Sequence, residues 1–269
     1  MNISKKNPNG SSTFEESFFK LNKTYIHPTA ILGPNVQLGD NVKIGPFAIL
    51  QGKLKIGSGS KIYANVIIGS PAQNLDTTEP LGEIIIGENC NIREFVTIGA
   101  SKYENGTTKI GNNCYVMSYS HIAHDVTLED NVTLINSVNL GGHVYVEKNA
   151  FLMSNSAAHQ FCRIGQFTAL TPFSAIRQDL PPFCMFVGTP AKFTGLNSVA
   201  LRRAGISRES INAIKHATKL FYQDRLLLSQ INDLAKQEDN QYWATDPYVK
   251  AFLNFIQNSS RGVSKRTVL

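Results

Sequence analysis

Two histidines and an aspartate fall within five residues of one another in Ser120-His121-Ile122-Ala123-His124-Asp125. Imidazole is the side chain best poised to take up and release a proton near neutral pH. A carboxylate beside it can fix the tautomer of the ring and stabilise its cation. His124 is therefore a candidate general base, Asp125 its orienting partner and His121 a supporting neighbour. A polar bend between two strands would also produce this string, and only the surrounding elements can decide between the two.

Those elements are written in a period of six. An aliphatic residue returns at Ile26, Leu32, Leu38, Ile44, Leu50, Ile56, Ile62 and Ile68, resumes at Ile86, Ile92 and Ile98, and restarts at Ile110. From there it runs through Val116, Ile122, Leu128, Leu134, Leu140, Val146, Leu152, Ala158, Ile164, Leu170 and Ile176. Neither a helical period nor simple strand alternation gives this spacing. A hexapeptide repeat is the signature of a parallel β-helix, with one short strand and a turn per repeat. Gly33, Gly39, Gly45, Gly57 and Gly69 follow the aliphatic and are expected to take turn angles that other residues resist. Polar insertions near 70–85 and 100–109 read as loops thrown out of the prism, where function often resides.

In known hexapeptide folds three hexads, about 18 residues, make one triangular coil. Positions 18 apart then lie above one another, which puts His124, Gly142 and Gln160 in one column and Asp125 with His143 in the next. His159 adjoins Gln160, so four of the six histidines converge on one edge of the prism. A satisfied polar ladder along the coil remains the alternative to a catalytic site.

After Pro181-Pro182 the period ends and the pattern turns helical. Ser207 is placed to cap a helix carrying Ile211, Ile214, Ala217, Leu220 and Phe221 on one face. A second helix is expected around Leu226–Ala235, and Asp246-Pro247 opens a third with Val249, Phe252, Leu253 and Ile256 as its stripe. The expected division is an N-terminal extension over 1–24, a β-helix over 25–187 and a helical domain over 188–269.

The net charge of the 269 residues is +6 with histidine neutral. Residues 1–188 hold 14 basic and 14 acidic side chains, and 189–269 hold 12 and 6, so the excess lies in the tail and marks it for an anionic partner. No apolar run reaches the ~20 residues of a membrane span. The N-terminus has no secretory core, and cytoplasm is the expected compartment. Cys90, Cys114, Cys162 and Cys184 stand far apart, as buried apolar residues rather than a metal site or a disulfide frame. No cofactor, metal or nucleic acid is expected.

HIAHD at 121–125, GGH at 141–143, HQF at 159–161 and RQDLPP at 177–182 strongly resemble the UDP-N-acetylglucosamine O-acyltransferase family. IGENCNIREFVTIG at 86–99 and RRAGISRESI at 202–211 match it too, and the likeness covers about 25–262. The resemblance implies a left-handed parallel β-helix with a small α-helical tail, assembled as a homotrimer with sites between prisms. It implies transfer of a 3-hydroxyacyl chain from acyl carrier protein to the sugar 3-hydroxyl, which begins lipid A synthesis for the lipopolysaccharide of Gram-negative outer membranes. His124 matches the family's general base, Asp125 the residue orienting it, and Gly142 the backbone N–H donor for the oxyanion. His121, His143, His159 and Gln160 match supporting and sugar-contacting positions, and Asn197 and Arg203 the nucleotide side.

Several positions depart from the family. Asn74-Leu75-Asp76 stands where the first loop usually carries Asp-Leu-Lys, so Asp76 replaces a lysine expected near phosphate. Val199 replaces a glutamate, Ala204 an arginine and Gly99 a histidine, and Pro172 occupies a position where a small or acyl-measuring residue is expected. These changes leave open an acyltransferase acting on another nucleotide sugar, including one with a 3-amino acceptor. A non-catalytic trimeric scaffold, or a zinc protein using His121, His143 and His159, is the remaining class.

Overall fold

The computed structural model describes residues 23–76 and 82–265. Residues 1–22 of the expected extension, 77–81 of the first loop and 266–269 lie outside the described residues. From Tyr25 the chain winds as a coil of short parallel strands in three sheets of ten, eight and seven strands. Most strands are two residues long, because each hexad spends its remaining residues turning a corner. His121 pairs with Asn139 and Asn139 with Ala157, which is the expected 18-residue advance per coil.

Every second strand residue points inward, and these are the periodic aliphatics. Ile44, Ile62, Ile92, Val116, Leu134, Leu152 and Leu170 form one fully buried column in the first sheet. Each such side chain contributes about 1.5–3 kcal/mol of apolar burial, so the interior column holds the coil together.

The turns differ from expectation. The left-handed backbone position is the third residue after the inward aliphatic, and asparagines and aromatics fill it, as at Asn41, Phe47, Asn131 and Phe173. Asp125 (φ 60°) and His143 (φ 60°) occupy the same position at one corner. Gly57, in the expected turn position, is there for space: a Cβ would lie 2.5 Å from the carbonyl carbon of Gly87 in the next coil. Of the glycines expected to need unusual angles, Gly69 does take φ +96°.

The two excursions are shorter than expected at their C-terminal ends. Glu83–Ile86 and Thr107–Ile110 already belong to the third sheet and pair with each other over four residues. Ile84 and Thr108 are buried there, which draws these segments back into the coil. The extra length shows in the register: Ile67 pairs with Thr97, and Thr97 with His121.

The boundary expected at 187 falls inside a hairpin. Cys184–Gly188 pairs in parallel with Ala169–Leu170 and antiparallel with Ala191–Leu196, so the hairpin finishes the ten-stranded sheet before the first helix. Helix α1 (Ser198–Arg203) follows, then α2 (Arg208–Tyr222), α3 (Leu228–Ala235), a 3-10 turn, α4 (Gln241–Ala244) and α5 (Pro247–Gln257). Ser207 Oγ accepts the Ser210 N–H at the start of α2, and Asp246 accepts those of Tyr248 and Val249 at the start of α5. The chain then returns to the prism. Ser259 Oγ donates to the buried Asp179 carboxylate at 2.7 Å, and Asp179 N–H bonds the Gly262 carbonyl at 2.9 Å.

Candidate active site

The strand His121–Ile122 ends at a corner, and the turn there presents His124 and Asp125 side by side. His124 Nδ1 lies 2.8 Å from Asp125 Oδ2, both side chains nearly buried. The Nε2 edge of the ring rests on Gly142 of the next coil: a Cβ there would come within 2.7 Å of Nε2 and 2.5 Å of Cε1. Glycine at 142 is thus what lets the imidazole face the adjacent backbone. The polar-bend alternative does not account for a ring paired on one nitrogen and set against bare backbone on the other.

Two further histidines support this pair. His143, one coil on, stacks on Phe161 with ring centroids 4.6 Å apart and meets the His124 ring edge-on at 5.2 Å. Its Nε2 is 3.8 Å from Asp125 Oδ2. Burial lowers its pKa most; Asp125 opposes that, while His124 and Lys102 add to it. His121 Nδ1 lies 2.7 Å from Thr97 Oγ1, and its pKa is lowered by burial first and by His124 second. Both rings are therefore held toward the neutral form.

A cleft of about 770 Å³ opens along the second sheet beside His124. His121, His124, Gly142, His159 and Gln160 line it, as the column arithmetic expects. His143 stands behind Asp125 rather than on the cleft wall. Sequence reasoning missed Gln73 from the first loop, the small floor residues Ala157 and Ala175, and the Thr189-Pro190 turn at the far end. The floor was legible in principle as small residues at outward strand positions.

Other expected positions lie off the cleft within this chain. Asn74 accepts the Asp76 N–H at 3.3 Å in a loop turn. Pro172 is exposed and its carbonyl accepts from Ser174. Asn197 caps α1 and donates through Nδ2 to the Phe167 carbonyl at 2.8 Å, and Arg203 is exposed in the last turn of α1. His159 is approached by Arg261 from the returning tail, at 3.5 Å from Nδ1.

The zinc set of His121, His143 and His159 is not gathered. Among the described residues, the set close enough to share an ion is His124, Asp125 and His143, with ligand atoms within 4.8 Å. The 2.8 Å between His124 Nδ1 and Asp125 Oδ2 is a hydrogen-bond length. Two donors on one tetrahedral zinc stand about 3.3 Å apart, so the set fits a proton better than a metal.

Comparison with known proteins finds relatives over most of the chain. The profile of the family described as Udp N-acetylglucosamine O-acyltransferase, domain 2, matches residues 179–264. That of the bacterial transferase hexapeptide (six repeats) matches 107–142. An acyl-[acyl-carrier-protein]–UDP-N-acetylglucosamine O-acyltransferase of Thermodesulfovibrio yellowstonii is 39% identical over 89% of this chain and 99% of its own length. The protein so named in Herminiimonas arsenicoxydans is 37% identical over 88% of this chain and 98% of its own. Among solved structures, the UDP-N-acetylglucosamine acyltransferase of Campylobacter jejuni superposes with a TM-score of 0.79 at 29% identity, covering 91% of this chain and 98% of that one.

Proposed function

We propose, from the premise that the chain belongs to the acyl-[acyl-carrier-protein]–UDP-N-acetylglucosamine O-acyltransferase family, that it moves a 3-hydroxyacyl chain from acyl carrier protein to the 3-hydroxyl of UDP-N-acetylglucosamine. The fold is the family's left-handed parallel β-helix with a helical tail, and the reaction is the first step of lipid A synthesis. The observation that carries the reading is the His124 ring, paired through Nδ1 with Asp125 and set by its Nε2 edge against Gly142 in the cleft.

A sugar hydroxyl is too weak an acid to attack a thioester at neutral pH unless its proton leaves in the transition state. His124 Nε2 takes that proton as the oxygen attacks the thioester carbonyl. Asp125 holds the imidazolium through Nδ1–H. The Gly142 N–H donates to the oxyanion of the tetrahedral intermediate. Collapse of the intermediate expels the carrier thiolate, which recovers the proton from His124, and the ester product forms. His121, His159 and Gln160 line the cleft and contact the sugar, His143 supports the His124–Asp125 pair from behind, and Asn74, Asp76 and Pro172 stand at the periphery.

Assembly is a homotrimer whose neighbour brings Asn197 and Arg203 to the nucleotide. Their positions off the cleft within one chain support that arrangement. The compartment is the cytoplasm, in keeping with four free, buried cysteines. Among the described residues no helix is long and apolar enough to cross a membrane. Because the relatives reported above are named for O-acyl transfer, the amine-acceptor alternative is not favoured. Mass spectrometry of products from purified protein with a panel of acyl carrier proteins and UDP-sugars tests the reading. An O-acyl ester of UDP-N-acetylglucosamine is expected; acylation of a 3-amino sugar alone would contradict it.

A further inference from the structure

The second excursion, 100–106, folds back against the far side of Asp125. Ser101 and Thr108 are fully buried although both are polar, and the hydroxyl of each meets Asp125; Ser101 Oγ also accepts the Tyr103 N–H at 3.0 Å and lies 3.1 Å from the Tyr103 carbonyl. Ser101 Oγ donates to Asp125 Oδ1, and Thr108 Oγ1 accepts the Asp125 N–H at 2.9 Å. The Lys102 N–H reaches Oδ2 at 3.3 Å. Gly106 leaves the room this needs, since a Cβ there would meet Ser101 Oγ at 2.1 Å and Asp125 Oδ1 at 2.9 Å. Tyr103 of the same loop lies over the outer side of His143, with ring centroids 5.9 Å apart.

We propose that this loop is a brace for the base, and that Ser101 is a positioning residue: its hydroxyl holds one oxygen of Asp125 so that the other is fixed on His124 Nδ1. The proposal rests on His124 being the base. A carboxylate rotates freely about its last bond, and a positive-φ backbone at Asp125 does not restrain that rotation. Two donors on Oδ1 and Oδ2 from the loop do, and they leave Oδ2 pointing at the imidazole. Without the Ser101 hydroxyl, Asp125 swings off the ring, the tautomer is no longer fixed and the imidazolium loses its partner. The titratable and charged groups facing this pair are His143 from the next coil, His121 from the preceding strand, and Lys102 and Tyr103 from the loop.

The test is Ser101→Ala in the full-length enzyme, read by kcat, by KM for both substrates, by the pH dependence of kcat and by thermal melting. A charge-assisted hydrogen bond corresponds to about 10- to 100-fold, so kcat should fall by that factor with both KM values unchanged. The acid limb of the kcat profile should move to lower pH, because the imidazolium is less stabilised. If Ser101→Ala does not fold, Ser101→Cys, close in volume and a weak donor, is read for the same split. Wild-type kcat and an unmoved acid limb in a folded variant would overturn the brace, as would a rise in KM alone. His124→Ala run beside it separates the two readings. Should that variant keep its turnover, the base assignment has failed; should it lose turnover while Ser101→Ala does not, the brace alone has failed.

Discussion

At the scale of single residues, Gly142 is the position set most closely against the base, with the His124 ring 2.5 Å from where its Cβ would stand. Its side of the coil is occupied by the His124 ring, so Gly142→Ala must push the imidazole off its seat. Displacements of about 1 Å at a reacting group cost on the order of 10²-fold. Turnover is expected to fall by about that factor with little change in melting temperature, as steady-state kinetics and calorimetry would report. At the periphery, the family resemblance implies cations at the positions held here by Asp76 and Ala204. Restoring them as Asp76→Lys with Ala204→Arg should lower the KM for the UDP-sugar, each contact contributing at most about 1.5–3 kcal/mol and less where solvent screens it. An unchanged KM would show that neither position faces phosphate. His124 beside Asp125 was legible because adjacency in sequence is adjacency at a corner. Ser101 and Gln73 were not, because a loop's side chains follow no period and meet the site only after the chain has closed around it.

At the scale of elements, the hexad fixes which residues point inward and how far each coil climbs, so the columns through His124, Gly142 and Gln160 could be drawn before any coordinates. The turn chemistry could not. Left-handed corners filled by asparagine or phenylalanine carry no glycine signal, and of the glycines that were visible Gly33, Gly39, Gly45 and Gly57 answer to backbone contact with the next coil. Helices α2 and α5 were legible from their caps at Ser207 and Asp246, whereas the short α1 and α4 were not. The return of the tail was not, since Ser259 and Asp179 are 80 positions apart. That return hangs on Asp179, which is fully buried and accepts from the Arg163 N–H at 2.8 Å and Ser259 Oγ at 2.7 Å. Asp179→Ala strands both donors and should destabilise the protein by about 2–4 kcal/mol, and Asp179→Asn by less, because one acceptor oxygen survives. Urea unfolding of the two variants checks this, and equal midpoints for all three proteins would refute it.

At the scale of the whole molecule, burial sets a pH dependence of stability. His121, His143 and His216 have pKa values lowered chiefly by burial. The unfolded chain, with imidazoles near their ordinary ~6.5, therefore binds more protons than the folded one just below that pH. Stability from these groups is complete above about pH 6.5 and is lost as pH falls toward their folded values. Melting temperature should decline between about pH 7 and 5.5, and His216→Gln, remote from the cleft, should flatten part of the decline. A flat or rising profile would contradict the burial argument. Glu147, raised by burial, acts in the opposite sense, but only in the carboxylate range. The central claim concerns activity, and one measurement reaches it most directly: turnover against pH for the wild type and His124→Ala, with melting temperature recorded on the same samples. A positioned general base contributes ~10²–10⁴ in rate. The account predicts a loss of that size, disappearance of the acid limb, an unchanged melting temperature, and smaller losses for His143→Ala and His159→Ala. Retention of most of the turnover by His124→Ala, or its unfolding in place of its inactivation, would contradict it.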